Sequence, residues 1–286
     1  MTTPPDCGPA PLVLGAYLRS LRLAQGLTLA EAAWAIRGSA AKLSRMETAR
    51  VPLRWEDIST LMGHYGITDC PTLEAAQEWT TKTRWGIVGD AAPGWQDRLR
   101  ACEHHASAIS IYTSVTVPRI AQAVGCPVDE LTLVTAATDE ARVRVHSLIP
   151  GQPGQDVTIL IDGAMLLRTL GHPRAMATQM AHLHRLATSA GGPRVLVAPL
   201  QAGAIPPAGN LYQFQLFGHE LWVSEGYSAT YATGADSEKY RHCLTAGLAA
   251  AKGAKMSAAM LKVASTRFER LATPTTPGDV LERLTS

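Results

Sequence analysis

Gly26-Leu-Thr-Leu-Ala-Glu-Ala-Ala33 and, after Trp34-Ala-Ile-Arg37, Gly38-Ser-Ala-Ala-Lys-Leu-Ser-Arg-Met-Glu47 decide how the chain is read. Thr28 and Glu31 have the T-x-x-E spacing of a capping box, in which the two side chains satisfy the free amides at a helix start. The short helix they open buries Ala32, Ala33 and Ile36 and stops at Arg37-Gly38. Ser39 can cap the next helix, with Leu43 and Met46 inward and Lys42, Ser44 and Arg45 outward. Upstream, Leu12 to Gln25 predicts an amphipathic helix with Leu14, Leu18 and Leu21 on one stripe, ended by Gly26 as left-handed cap. Two short helices joined by a tight turn, the second with a small and basic outer face, suit a major groove about 12 Å wide. The residues expected at DNA are Thr28, Ser39, Ala40, Ala41, Lys42, Ser44, Arg45 and Arg50.

Charge distribution points the same way. The formal net charge of the 286 residues is only +2, yet residues 12–55 hold Arg19, Arg22, Arg37, Lys42, Arg45, Arg50 and Arg54 against Glu31 and Glu47. A basic head on a slightly acidic body suits phosphate contact at one end. Hydrophobic residues make up 46% and charged residues 17%, enough apolar material for packed cores. The five cysteines (Cys7, Cys70, Cys102, Cys126, Cys243) are scattered and never paired as C-x-x-C, so neither a disulfide framework nor a zinc site is expected. They fit a reducing cytoplasm. No apolar run reaches the length of a membrane span, and none marks the N-terminus as a signal.

Working outward, residues 1–11 read as a disordered leader, 12–70 as the helix-turn-helix domain and 71–94 as a helical linker. Residues 95–272 read as an α+β effector or dimerisation domain with a small sheet and flanking helices, and 273–286 as a tail. Pro71 suits the first turn of a helix running to about Trp85, and Gly86 to Gly94 is glycine-rich like a linker. A helix follows from about Pro93 with Trp95, Leu99 and Cys102 at helical spacing, and another over Val128 to Leu148. Val157 to Ile161 and Arg194 to Ala198 are short β-branched runs, hence strands. Leu211 to Leu216 and Glu220 to Ser224 form a hairpin around Phe217-Gly218-His219. Helices are expected over Pro173 to Ala190, Ser237 to Lys252 and Ser257 to Leu271.

Other chemistry-bearing residues are sparser. Glu103-His104-His105 is conspicuous, but neighbours on a helix point about 100° apart and H-E-x-x-H is absent, so satisfied histidines compete with a site. Asp162 ends a strand, where both functional acids and turn caps occur. If the body were catalytic, Glu103, His104, His105 and Asp162 would be its acid–base groups. Late aromatics are either sheet core or pocket lining, and an apolar ligand pocket would draw on His105, Asp162, Phe214, Trp222 and Tyr227. Gly203-Ala-Ile-Pro-Pro-Ala-Gly209 lacks the spacing and lysine of a phosphate loop, and no G-x-S-x-G occurs. No cofactor and no metal are implied.

The segment Gly26 to Glu47, with Asp57-Ile and Leu61-Met-x-x-Tyr65-Gly-Ile67 in the places of its fourth and fifth helices, resembles the Cro/repressor-type (XRE) helix-turn-helix of actinobacteria. Val117-Pro118, Leu160-Ile-Asp162, Gly171-His-Pro, Gln179-Met-Ala-His-Leu183, Val197-Ala-Pro-Leu-Gln-Ala-Gly203 and Val223-Ser-Glu-Gly226 resemble the uncharacterised domain that follows this head in regulators of that group. The resemblance implies a regulator that binds double-stranded DNA through its helix-turn-helix head and carries a ligand- or partner-responsive body, often encoded near genes of secondary metabolism. Paired half-sites suit a homodimer. Leu29, Arg37, Ala49, Gly163 and Ile205 depart from the usual residues, and Arg37 and Ala49 stand where glycine is usual. A diverged member that has lost DNA binding, and that binds or transforms a small apolar natural product, is the alternative.

Overall fold

The computed structural model describes residues 7–123, 154–202 and 209–273. The helix expected over Val128 to Leu148, and most of the Gly203 to Gly209 loop, lie outside the described residues. The head comprises α1 (Pro9–Ala24), α2 (Leu29–Ala35), α3 (Ala40–Glu47), α4 (Trp55–His64) and α5 (Cys70–Thr81). The body comprises β1 (Ile87–Asp90), α6 (Trp95–His105), β2 (Ala106–Thr113), β3 (Asp156–Asp162), α7 (Pro173–Thr188), β4 (Arg194–Ala198), β5 (Asn210–Leu216), β6 (His219–Glu225), β7 (Ala229–Ala232), α8 (Glu238–Ala250) and α9 (Ala254–Ala272). The fold is α+β, and its sheet has seven strands in the order β1-β7-β6-β5-β2-β3-β4. β2, β3 and β4 run parallel, and every other pairing is antiparallel.

The two faces of the sheet do different work. Ile109, Ile111, Ile159, Tyr212, Phe214, Val223 and Tyr231 join one core with α6, α7, α9 and the head helices. The other face carries Tyr112, Leu160, Leu196, Leu211 and Trp222 beneath Tyr240 and Leu244 of α8. The outer edge of β4 is closed by the α8–α9 connection. Lys252 N donates to Val197 O (2.9 Å), and Ser257 Oγ accepts from Val197 N (3.0 Å). Such pairing removes the exposed ladder of a free edge strand.

Helix α1 ties head to body. Residues Pro9 to Leu18 are all buried. A surface helix keeps one wet face, whereas one that is apolar all round is enclosed. Here one side lies against α3 and α5 of the head, and the other against α6, β1 and β7. Gly8 allows this seating: a β-carbon there would stand 2.6 Å from Thr83 O and 2.7 Å from Trp85 O. The expected leader therefore ends before Pro9, not at Pro11.

Three other expectations change. The segment Gly86 to Gly94 is not a linker, because β1 pairs with β7 from Ile87↔Ala232 to Asp90↔Ala229. Behind that strand, Asp90 receives two hydrogen bonds from Arg98, each 2.7 Å, and both side chains are buried. The segments expected as the fourth and fifth helices are one helix, α4, and the fifth is α5, which Asp69 caps through Thr72 N (3.1 Å). The hairpin turn has two residues, not three: Leu216 pairs His219. Phe217 (φ 55°) and Gly218 (φ 87°) are both left-handed, as a type I′ turn requires.

Within the head, Arg22 of α1 donates to both carboxylate oxygens of Glu47 at the end of α3, at 2.6 and 3.0 Å, and to Leu27 O at 2.7 Å. Both side chains are more than nine-tenths buried. Removing one member leaves the other charge uncompensated, at a cost of about 3–5 kcal/mol. Glu47→Ala is therefore expected to destabilise the protein by about that amount in urea unfolding. A loss below about 1 kcal/mol, the value of a surface pair, contradicts this role.

Candidate nucleic-acid interface

The surface that can meet DNA is assembled by caps and by small buried residues. Glu31 N donates to Thr28 Oγ1 (3.2 Å) and Thr28 N to Glu31 Oε2 (2.8 Å), completing the capping box that starts α2. Ala32 and Ala33 are buried, which lets α2 lie close to α3. Gly38 N returns to Ala33 O (2.9 Å), and Ser39 Oγ accepts from Lys42 N (3.1 Å) to start α3. Leu43, Met46 and Glu47 face inward. Seated on Arg22, α3 presents its opposite side to solvent.

On that side Ala41 and Arg45 are exposed, and Ala40, Lys42 and Ser44 are half-buried. Thr28, Ser39 and Arg50 are exposed as well. Lys42 is not free: its Nζ lies 2.7 Å from Asp57 Oδ2 in the first turn of α4. Ser44 supplies its carbonyl to Thr48 Oγ1 (2.8 Å). Two further cations, Arg37 and Arg54, are exposed in the same head. Both belong to the basic excess visible in the sequence, but neither lies on α3, so the motif does not point to them. Trp34, four-fifths exposed on α2, carried no sequence signal beyond its position in the helix.

Arg37 (φ 48°) and Ala49 (φ 55°) adopt the left-handed region, so the glycines usual at these places reflect backbone conformation. Arg37 ends α2 and Ala49 follows α3.

The residues expected to line a ligand pocket do not meet. Phe214 and Trp222 lie in different cores on opposite faces of the sheet. Tyr227 is 85% exposed. Asp162 is a structural cap: Oδ1 accepts from Ala164 N (2.8 Å) and Oδ2 from the Tyr112 hydroxyl (2.7 Å). His105 belongs to the head–body contact. Its Nε2 is 3.0 Å from Ser20 Oγ of α1, and its ring packs against His104 and Phe217. Arg19 of α1 lies over the same Phe217 ring, 5.9 Å from its centre.

Nor do Glu103, His104, His105 and Asp162 form a catalytic set. Burial, with the charges of His104, Arg19 and Arg22, lowers the His105 pKa to about 3. His105 stays neutral at physiological pH and acts as a packing and hydrogen-bonding group. Glu103 is buried, and its surroundings include Glu225, Arg100 and Arg119. Among the described residues, no group of three His, Cys, Asp or Glu could hold a metal ion, and no helix is long and apolar enough to cross a membrane.

Two family models match the chain. One, described as a helix-turn-helix domain, covers residues 13–75, which contain the whole interface above. The other, described as a domain of unknown function (DUF5753), covers residues 96–263 and thus most of the body. A helix-turn-helix domain supports a DNA-binding regulator in general. No curated protein and no solved structure matches the chain.

Two shifts act on stability in opposite directions. Burial first, then the charge of Glu225, raises the Glu103 pKa from 4.5 to about 8, and Arg100 and Arg119 oppose the rise. The folded protein keeps that proton while the unfolded chain releases it, so stability falls as pH rises from about 4.5 to 8. His105, lowered from 6.5 to about 3, makes stability fall as pH drops below 6.5. Between pH 6.5 and 8 Glu103 therefore acts without His105. The expected slope there is a loss of at most about 1.4 kcal/mol per pH unit, absent in Glu103→Gln. Denaturant unfolding at several pH values checks it, and equal slopes in both proteins refute it.

Proposed function

Because this chain belongs to the DUF5753 family and carries a helix-turn-helix domain in front of that body, we propose that it is a transcriptional regulator of the Cro/repressor type. Its α3 enters the major groove, and its body responds to a ligand or a small protein partner in the cytoplasm. The observation that carries the reading is Arg45, exposed on a helix capped by Ser39 and anchored by the buried Arg22–Glu47 pair. A rigid helix with an exposed arginine can present its guanidinium to guanine edges or to phosphate. Arg37, Arg50 and Arg54 around it supply sequence-independent attraction to the backbone.

One recognition helix of eight residues reads only a few base pairs. Two copies on half-sites about one helical turn apart give useful discrimination, so the working form is a homodimer. Genes of secondary metabolism are the expected targets, following the resemblance of the sequence to regulators found beside them.

The test is fluorescence anisotropy with DNA from upstream of the protein's own gene, over a salt series. Affinity is expected to fall steeply with salt. Arg45→Ala should cost about 1–3 kcal/mol, roughly 5- to 150-fold. Lys42→Ala should cost less, because Asp57 already neutralises Lys42, and Asp57→Asn should strengthen binding to all sequences by freeing that charge. No binding at low salt, or full affinity in Arg45→Ala, overturns the proposal.

A further inference from the structure

Helix α9 keeps an apolar flank in solvent. Its inner face, with Ala258, Leu261, Ala264 and Phe268, is buried against α7, β4 and the turn Gly163–Leu166. Met256, Met260 and Val263 stand at i, i+4 and i+7, so they line one side of the same helix. Met256 is 57% and Val263 70% exposed, and Met260 is half-buried. Arg267, one turn further along that stripe, donates to Leu167 O (3.1 Å). That bond brings Leu167, itself 49% exposed, to the end of the stripe. Single apolar residues on a surface need no explanation, but a row of them along one helix marks a contact site.

The surroundings of the stripe are basic. From Lys252 to Arg270 the chain carries Lys252, Lys255, Lys262, Arg267 and Arg270 against Glu269 alone, and all of these are exposed. Arg168, next to Leu167, is exposed as well. Among the described residues no carboxylate pairs with any of these cations. The chain outside residues 12–55 is slightly acidic as a whole, so the excess here is a local concentration. We propose that the stripe Met256, Met260 and Val263, with Leu167 at its end, is the seat of an acidic amphipathic helix from a partner protein.

The two halves of the surface choose this occupant together. A row at helical spacing is matched by the apolar face of a second helix, and methionine side chains adapt to what they meet. Carboxylates flanking that face would find the unpaired cations on either side. A phosphate backbone would gain from the cations but nothing from the apolar row. A second copy of this chain would set like charges against each other across a two-fold axis. The proposal deepens the reading of the body as partner-responsive and rests on that reading only for its purpose. The seat lies on the β4 side of the sheet, whereas α1 meets β1 and β7 at the other edge. A partner on α9 therefore sits away from the helix that carries the DNA-facing head.

The experiment selects peptides of about 16 residues, a little over four helical turns, from a random phage-displayed library on the full chain. The expected winners carry net negative charge and apolar residues at i, i+4 and i+7. As synthetic peptides they should become helical on binding and lose about tenfold or more in affinity for Met256→Ser/Val263→Asp protein. Lys262→Glu/Arg270→Glu should weaken them and flatten the salt dependence. All four positions are exposed, so the variants should unfold at the parent's Tm. No enrichment, winners without this charge and spacing, or full affinity for Met256→Ser/Val263→Asp overturns the proposal. So does a fall in mass of that variant by sedimentation, which makes the face a contact between copies of this chain. A random duplex that binds Arg45→Ala protein and is released by Lys262→Glu/Arg270→Glu makes it a nucleic-acid surface instead. The peptide measurement contains no DNA, so its failure leaves DNA reading standing, and failure of DNA reading leaves this seat standing.

Discussion

Ten successive buried residues of α1, Pro9 to Leu18, constrain everything else in the molecule. A helix enclosed on all sides cannot belong to a head that swings on a tether. It supplies one wall of the helix-turn-helix core through Leu14 and Leu18, and it occupies the ground between that core and α6, β1 and β7. At its far end Arg22 sets α3 through Glu47, while Arg19 and Ser20 meet Phe217 and His105 of the body. Helix α3 and the sheet are thus separated by one helix. Packed interiors transmit displacement because they hold few voids.

Phe217 shows how closely the body fits this helix. A bulky residue in the left-handed region is strained and persists only where its surroundings fix it. Here the hairpin tip is held between the Arg19 guanidinium and the His105 ring. The same two-residue turn explains why Phe214 and Trp222, both expected to line a pocket, lie on opposite faces of the sheet. A three-residue turn over 217–219 would set Phe214 opposite Trp222 on one face. The observed register pairs Phe214 with Leu221, and a shift of one residue sends Trp222 to the other side of the sheet.

Much of the rest was legible. The capping box, the Ser39 cap and the inward Leu43 and Met46 follow from local spacing, and local hydrogen bonds realise them in the structure. β4 was readable to the residue, because a β-branched run bounded by proline has few alternatives. What escaped depends on distant partners or on missing punctuation. β1 has four residues, two of them apolar, inside glycine-rich sequence, and its strand state is set by β7 far along the chain. β2 follows α6 with no glycine or proline between them, so the helical pattern masks the alternation of Ile109 and Ile111. The second contact face of α1 is present in Pro9-Ala-Pro-Leu-Val-Leu-Gly-Ala-Tyr-Leu18, a run without a charged side chain, but a single leucine stripe already accounts for a helix there. At the interface, position alone could not show that Asp57 engages Lys42 and leaves Arg45 the freer cation.

Native-state hydrogen exchange tests the shared helix most directly. If α1 is common property of head and body, its buried amides from Val13 to Leu18 exchange only with global unfolding, at the same free energy as the central strands β5 and β6. If those amides instead exchange together with α2 to α4 at a clearly lower free energy than the sheet, the head is a separate folding unit and the body cannot act on DNA through α1.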